Sequence, residues 1–182
     1  ILSNLDMEVY GFVYGQASYD SKPINEKDSP MYPMPPTGDS GDSSQLSGTV
    51  KRTRLGLKMS GPVVCEGKTS ALIEGDFWGD QSTEGSETSH GSIKPRLRHG
   101  YIKWTRDGWS VLAGQTSDLV GNIMPSVLNF NNLLGSGQLG TRHAQVRVGK
   151  TFEFEKSRSV LVESALSRPA YSRTGTPHFQ YN

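Results

Sequence analysis

The sequence has one cysteine, Cys65, in 182 residues. A single thiol forms no internal disulfide, and it has no second cysteine at metal-ligand spacing. A disulfide scaffold and a cysteine-based zinc site are therefore both excluded. Long apolar runs are also missing: no stretch reaches the 18 or so residues that a transmembrane helix needs. Neither charge sign is in excess. Lys and Arg number 19 and Asp and Glu 18, a formal net charge of +1, so the broad basic footprint of a nucleic-acid binder is absent. Hydrophobic residues make up only 34% of the chain, which also carries 21 glycines. That is thin for a soluble core at this length. Helix signals are poor, since no long segment repeats apolar residues at i, i+3, i+4 and i+7 between caps.

Catalytic signatures are missing too. His90, His99, His143 and His178 are scattered, and neither GxSxG nor HExxH occurs. The glycine-rich "GSGQLG" at 135–140 lacks the Lys-Ser/Thr pair of a phosphate-cradling loop. No enzyme activity, cofactor or metal is expected. The opening "ILSNLDMEVYG" has no basic segment followed by an apolar one; either the chain is cytosolic or a signal segment has already been removed. The ending "TPHFQYN" reads as cut.

What the sequence does have is alternation. Period-2 segments rich in aromatic and β-branched residues recur at about 7–19, 48–59, 68–79, 95–106, 109–117, 141–155 and 158–167. They predict seven strands in a single domain, 1–182, of the all-β class. The connections alternate in length. Residues 20–47, 80–94 and 118–140 are long, whereas 60–67, the "RDGW" turn with its Asp107-Gly108 hairpin signal, and "EKSR" near 155–158 are short. A soluble sandwich has little reason to keep that order. A transmembrane barrel does, with tight turns at one end and long loops at the other, and it needs only alternate residues to be apolar.

The strand faces agree. In "VKRTRLGLKMSG", Lys51, Thr53, Leu55, Leu57 and Met59 oppose Arg52, Arg54, Gly56 and Lys58. Ala71, Ile73 and Phe77 oppose Leu72, Glu74, Asp76 and Trp78; Ala144, Val146 and Val148 oppose His143, Gln145 and Arg147; Val160, Val162 and Leu166 oppose Leu161 and Glu163. A mid-strand Arg or Lys on a lipid face costs roughly 2–4 kcal/mol but is cheap in a water-filled lumen. The charged faces are thus expected to line water. A soluble sheet with one solvated face gives the same alternation, but no amphipathic helix is available to cover the apolar side. Strand 95–106 is mixed by simple alternation: Arg96, Arg98, Gly100, Ile102 and Trp104 fall on one face, and Leu97, His99, Tyr101 and Lys103 on the other. Trp104 and Trp109 flank the tight turn, where an interfacial aromatic girdle would lie.

Several stretches resemble a known family. "VYGFVYGQASYD", "TRLGLKMSGPV", "ALIEGDFWGD", "RLRHGYIKWTRDGWSVLAGQTSDLV" and "LGTRHAQVRVG", in that order over about 7–154, look like the N-terminal part of a Gram-negative outer-membrane porin. The flavour is that of the DcaP-type, dicarboxylate-associated porins. The resemblance implies a fragment of an antiparallel transmembrane β-barrel of about 16 strands. It also implies a homotrimer in outer-membrane lipid, with a water-filled channel for passive diffusion of small hydrophilic solutes. Arg54 and Lys58 match basic wall positions of the second strand, Glu74 an acidic one of the third and Arg98 a basic one of the fourth. Gln145 and Arg147 match inward positions after the third loop. With Arg52 and Asp76 from the face pattern, and Asp118 from the start of the third loop, these are the expected pore-lining residues. The segment 118–140 matches the constriction loop. It is rich in Leu, Val and Ile and offers only Asp118 as an acid, which departs from the usual acidic loop. The excess of basic over acidic candidates leans toward anions, carboxylates among them, whose geometry the Arg fork fits. The alternative from a different class is a soluble β-sandwich or β-barrel that binds a small ligand.

Overall fold

The computed structural model describes residues 5–24, 33, 44–79, 94–120, 141–154, 158–168 and 178–181. Among them there are ten strands and no helix. They are β1 Asp6–Phe12, β2 Gln16–Asp20, β3 Gln45–Thr49, β4 Arg54–Ser60, β5 Lys68–Asp76, β6 Arg96–Arg106, β7 Trp109–Ser117, β8 Arg142–Phe154, β9 Arg158–Ser167 and β10 His178–Tyr181. Eight of them form one sheet in the order β1-β4-β5-β6-β7-β8-β9-β10, and β2 with β3 forms a separate two-stranded ribbon. Every neighbouring pair is antiparallel. The sheet is an up-and-down meander, and its tight turns all fall at one end.

All seven expected segments form strands, with three differences. The first two segments are each interrupted, at 13–15 and at 50–53. There the Tyr14 amide donates to Thr53 Oγ1 at 3.1 Å and the Thr53 amide to Val50 O at 2.9 Å, so a local turn replaces the ladder. Beyond the break the chain resumes as the β2–β3 ribbon, which takes up both ends of what reads as a polar loop at 20–47. Third, a strand lies beyond the seven expected segments: β10 pairs with β9 from His178↔Ser167 to Tyr181↔Ser164.

The turns show why the tight end is tight. At the β6–β7 turn Asp107 has φ 48° and Gly108 φ 77°. Positive φ at both central residues is the type I′ geometry, whose twist matches that of the flanking strands. The β4–β5 connection uses the same geometry without a glycine, since Cys65 (φ 49°) and Glu66 (φ 60°) sit between Val64 and Gly67. A non-glycine residue held there costs about 1–3 kcal/mol, and three contacts offset it. Trp104 Nε1 donates to Val64 O at 2.8 Å, Arg106 donates to Cys65 O at 3.1 Å, and Arg106 pairs with Glu66. A Cβ on Gly67 would lie 2.1 Å from Trp104 Nε1, so the indole rests directly on that glycine.

There is hardly a hydrophobic core. The buried apolar residues among those described are Trp78, Leu112, Leu119 and Ala165, against a longer set of buried polar ones: Thr49, Glu74, Asp76, Thr116, Asp118, Gln145 and Ser167. Large apolar side chains are instead displayed. Val9 is 78% exposed, Ile102 65% and Met7 64%, with Leu55, Ile73, Val146, Val160 and Val162 near half. By register these all lie on one face of the sheet. Trp109, Phe152 and Phe154 are also exposed on that face, toward the tight-turn end. In water such a surface would be an association liability.

Candidate functional site

The opposite face carries the charges, and the pairing register arranges them in rows. The row nearest the long connections runs Phe12, Arg54, Asp76 and Arg96 across β1, β4, β5 and β6. The next runs Tyr10, Gly56, Glu74 and His99, and continues through Thr116 on β7 to His143 on β8. A third holds Glu8, Lys58, Leu72, Tyr101, Gly114 and Gln145; a fourth includes Ser60, Ser70, Lys103, Leu112 and Arg147.

Strand β6 departs from the simple alternation that the sequence predicts. Its pairing with β5 steps from Glu74↔His99 to Gly75↔Leu97, which leaves Arg98 without a partner opposite it. This is a β-bulge, one extra residue that shifts the phase of the pleat. Arg96 and Arg98 therefore join His99, Tyr101 and Lys103 on the polar face, and Leu97 joins Ile102 on the apolar face. The mixed faces read at 95–106 come from applying one period across that extra residue.

Two carboxylates anchor the cluster. Arg96 grips Asp76 with both arms of its fork, Nε to Oδ1 at 2.9 Å and a terminal nitrogen to Oδ2 at 2.6 Å. Arg98 bridges the two acids, with Nε to Glu74 Oε1 at 2.9 Å and Nη1 to Asp76 Oδ2 at 3.0 Å. Arg54 Nε stands 3.3 Å from Glu74 Oε1, within ion-pair range but off hydrogen-bond alignment. His99 Nε2 is 3.9 Å from the same oxygen, and its Nδ1 lies 3.0 Å from Thr116 Oγ1. Two-point guanidinium–carboxylate contacts fix geometry as well as charge. The acids lie beneath the bases. The side chains of Asp76 and Glu74 are 0% and 9% exposed, whereas those of Arg96, Arg54 and Arg98 are 31%, 21% and 13% exposed. A solute in front of this face meets guanidinium edges before carboxylate.

Tyr10 reaches the cluster from two strands away. Its hydroxyl donates to Glu74 Oε2 at 2.7 Å. The ring crosses β4 at Gly56, where an added Cβ would fall 2.3 Å from the ring carbon Cζ. Lys58 Nζ sits 4.8 Å from the centre of the same ring and 3.5 Å from Glu8. Gly56→Ala is expected to lift the ring off the sheet and break the Tyr10–Glu74 bond. A hydrogen bond to a charged group is worth about 2 kcal/mol, so the check is a lower urea midpoint for the folded protein, with Tyr10→Phe producing most of the same loss and the double variant little more.

Across β7, Asp118 accepts from Thr141 Oγ1 at 2.5 Å, and His143 Nδ1 lies 2.8 Å from Asp118 Oδ2. Gln145 donates to Thr116 O at 3.0 Å, and Arg147 donates to Ser117 O at 2.6 Å and to Gln145 Oε1 at 2.9 Å. Of the residues singled out from sequence, Arg54, Glu74, Asp76 and Arg98 meet in one network, and Asp118, Gln145 and Arg147 form a second around the end of β7. Lys58 lies on the same face, one row away. Arg52 does not join them. It falls in the break between β3 and β4, with its guanidinium 5.3 Å from the Tyr14 ring. Arg96, Tyr10 and His99 were not singled out. The bulge hides the first, and cross-strand register, which single-strand alternation does not give, brings in the other two. Of the segment 118–140, residues 121–140 lie outside the described residues. Among the described residues no three His, Cys, Asp or Glu side chains are grouped to hold a metal ion.

No family model matches the chain, and no curated protein matches it. Its structure is similar to the crystal structure of the outer membrane channel DcaP of Acinetobacter baumannii, with a TM-score of 0.66 and 25% sequence identity. The match covers 93% of this chain and 43% of that one, so the chain spans less than half the length of the channel it resembles. The likeness is of DcaP porin type, and the fold is that of an antiparallel, porin-type transmembrane β-barrel wall.

Proposed function

We infer that the chain is part of the wall of an outer-membrane channel through which small hydrophilic solutes diffuse passively, with a lean toward anions such as carboxylates. The observation that carries this reading is the reversed layering of the sheet. Among the described residues its buried side chains are mostly carboxylates, hydroxyls and an amide, and most of its large apolar side chains are exposed. Lipid is the solvent that suits the aliphatic face, and a water-filled lumen suits the other. Arg54, Lys58, Glu74, Asp76, Arg98, Gln145 and Arg147 line the lumen in this reading, together with Arg96 and His99. Arg52 lies above them, at the long-connection end. Trp109, Phe152 and Phe154 sit at the interfacial level of the tight-turn end.

The anion lean follows from the cluster's charge. Three guanidiniums, Arg54, Arg96 and Arg98, surround two carboxylates, Glu74 and Asp76, and shield them from solvent. Low-dielectric walls focus the resulting field on a passing ion. No covalent step is involved; solutes are selected by size and charge. β1 and β10 each have one neighbour among the described residues, and an unpaired edge in lipid is costly. Further strands therefore complete the wall, and the assembled channel is a homotrimer in this reading.

Planar-bilayer recording of the complete protein tests this. One unit charge about 6 Å from an ion path in water is worth roughly 0.7 kcal/mol, about threefold in relative permeability. Arg54→Ala with Arg98→Ala is expected to lower the anion-over-cation ratio by about threefold or more at low salt. The effect should fade as salt screens the wall. An unchanged reversal potential in a salt gradient overturns the lumen assignment.

A further inference from the structure

The polar face has a second group of charged side chains, at its tight-turn end. A cavity of about 460 Å³ opens there between β5, β6, β7, β8 and β9. Lys68 on β5 and Lys103 on β6 line it, and the register sets them diagonally, with Lys68 opposite Thr105 and Ser70 opposite Lys103. Side chains related in this way rise from one face within reach of each other. Thr105, Ser110 and Thr151 add hydroxyls to the lining.

The charges in this cup differ in one respect from those of the arginine cluster. Arg54, Arg96 and Arg98 are each held by Glu74 or Asp76. The cup's acids are already engaged: Glu163 lies 3.8 Å from Arg147, and Glu66 and Asp107 both pair with Arg106. Among the described residues neither Lys68 nor Lys103 has a carboxylate partner. Two ammonium groups therefore face an open, water-accessible hollow without an ion pair of their own, in a lining whose other charges are Arg106, Glu66, Asp107 and Glu163.

The geometry points to a separate anion-binding station, in which Lys68 and Lys103, assisted by the hydroxyls of Thr105 and Ser110, take a small oxyanion, either a carboxylate or a phosphate. It lies six residues along β5 from Glu74, roughly 20 Å at strand rise. The inference rests on the channel reading and goes beyond it. Arginine forks held by carboxylates present a fixed pattern, whereas lysine is a hydrated point charge on a mobile stem. Such a site binds loosely and releases fast, and throughput requires sites weak enough to leave. An anion leaving the arginine cluster would pause at the lysines before the tight-turn mouth.

The test uses the full-length protein in planar bilayers, with inorganic tripolyphosphate added to one side at a time. Wild-type current is expected to be blocked from the tight-turn side. K68Q/K103Q is expected to raise the half-blocking concentration from that side about tenfold, while block from the opposite side stays as in wild type; K68R/K103R should restore wild-type block. Wild-type protein that tripolyphosphate does not block from the tight-turn side overturns the station and needs no variant to show it. So does K68Q/K103Q that is blocked like wild type. If in either case R98Q still shifts the reversal potential, the channel reading stands and the lysine station alone is lost. A protein that inserts and passes no ions overturns both.

Discussion

Ile102→Arg is expected to destabilise the membrane-folded protein by about 3 kcal/mol, the cost of a cationic side chain on a lipid face near mid-depth. Ile102 lies at the middle of β6, is 65% exposed and shares its face with Ile73, Ala113 and Val146. The two candidate surroundings give different answers. If that face met water, an exposed isoleucine could become arginine at a cost within about 0.5 kcal/mol. If it meets acyl chains, the guanidinium must be desolvated or drawn toward the headgroups. Urea unfolding of the full-length protein from lipid vesicles measures the difference, with Thr105→Arg on the polar face of the same strand as the control. Equal midpoints for the two variants would mean that the aliphatic face is not in lipid.

Glu74→Ala is expected to be nearly as damaging, and it should move a second property the other way. Glu74 is 6% exposed and accepts from Tyr10 and Arg98, with Arg54 close by. Removing it leaves Arg54 without its nearest acid, while Arg98 keeps only Asp76 at 3.0 Å. Breaking a buried ion pair from one side costs about 3–5 kcal/mol. Here water reaches the arginines, so the expected loss is at the low end, about 3 kcal/mol, read as a drop in the unfolding midpoint. The surviving channels should favour anions more strongly than wild type, because the cluster loses a negative charge and keeps all its positive ones. Glu74→Gln separates the two effects, since it keeps an acceptor for Tyr10 while removing the charge. A variant that loses stability with no gain in anion preference would leave Glu74 a structural residue remote from the ion path.

How much of this was legible in the sequence depends on which forces are local. The strand segments and the split of Leu55 and Leu57 from Arg54 and Lys58 are local, because the pleat alone alternates the side chains. So was the Asp107-Gly108 turn, whose backbone demand its residues announce. The Cys65-Glu66 turn was not, because neither residue advertises a positive φ; its support comes from Trp104 and Arg106, some forty positions away. Tyr10 illustrates the same limit. Nothing in "EVYGF" points to Glu74, and the connection exists only because register sets Tyr10 opposite Gly56 and leaves the ring room to cross. Arg96 was missed for a different reason, the extra residue in β6. The breaks at 13–15 and 50–53 are tertiary too, since Tyr14 and Thr53 satisfy each other across the two chains.

The unpartnered Arg98 has a consequence for how this strand tolerates change in length. Because it offsets the two halves of β6 by one position, the strand is encoded out of phase with itself. Removing that residue would restore simple alternation: Leu97 would stay opposite Gly75 and Arg96 opposite Asp76, and the strand would lose only the guanidinium that bridges Glu74 and Asp76. A one-codon deletion at Arg98 would thus keep every other side chain of β6 on its present face, whereas loss of a paired residue would carry its neighbours to the opposite face.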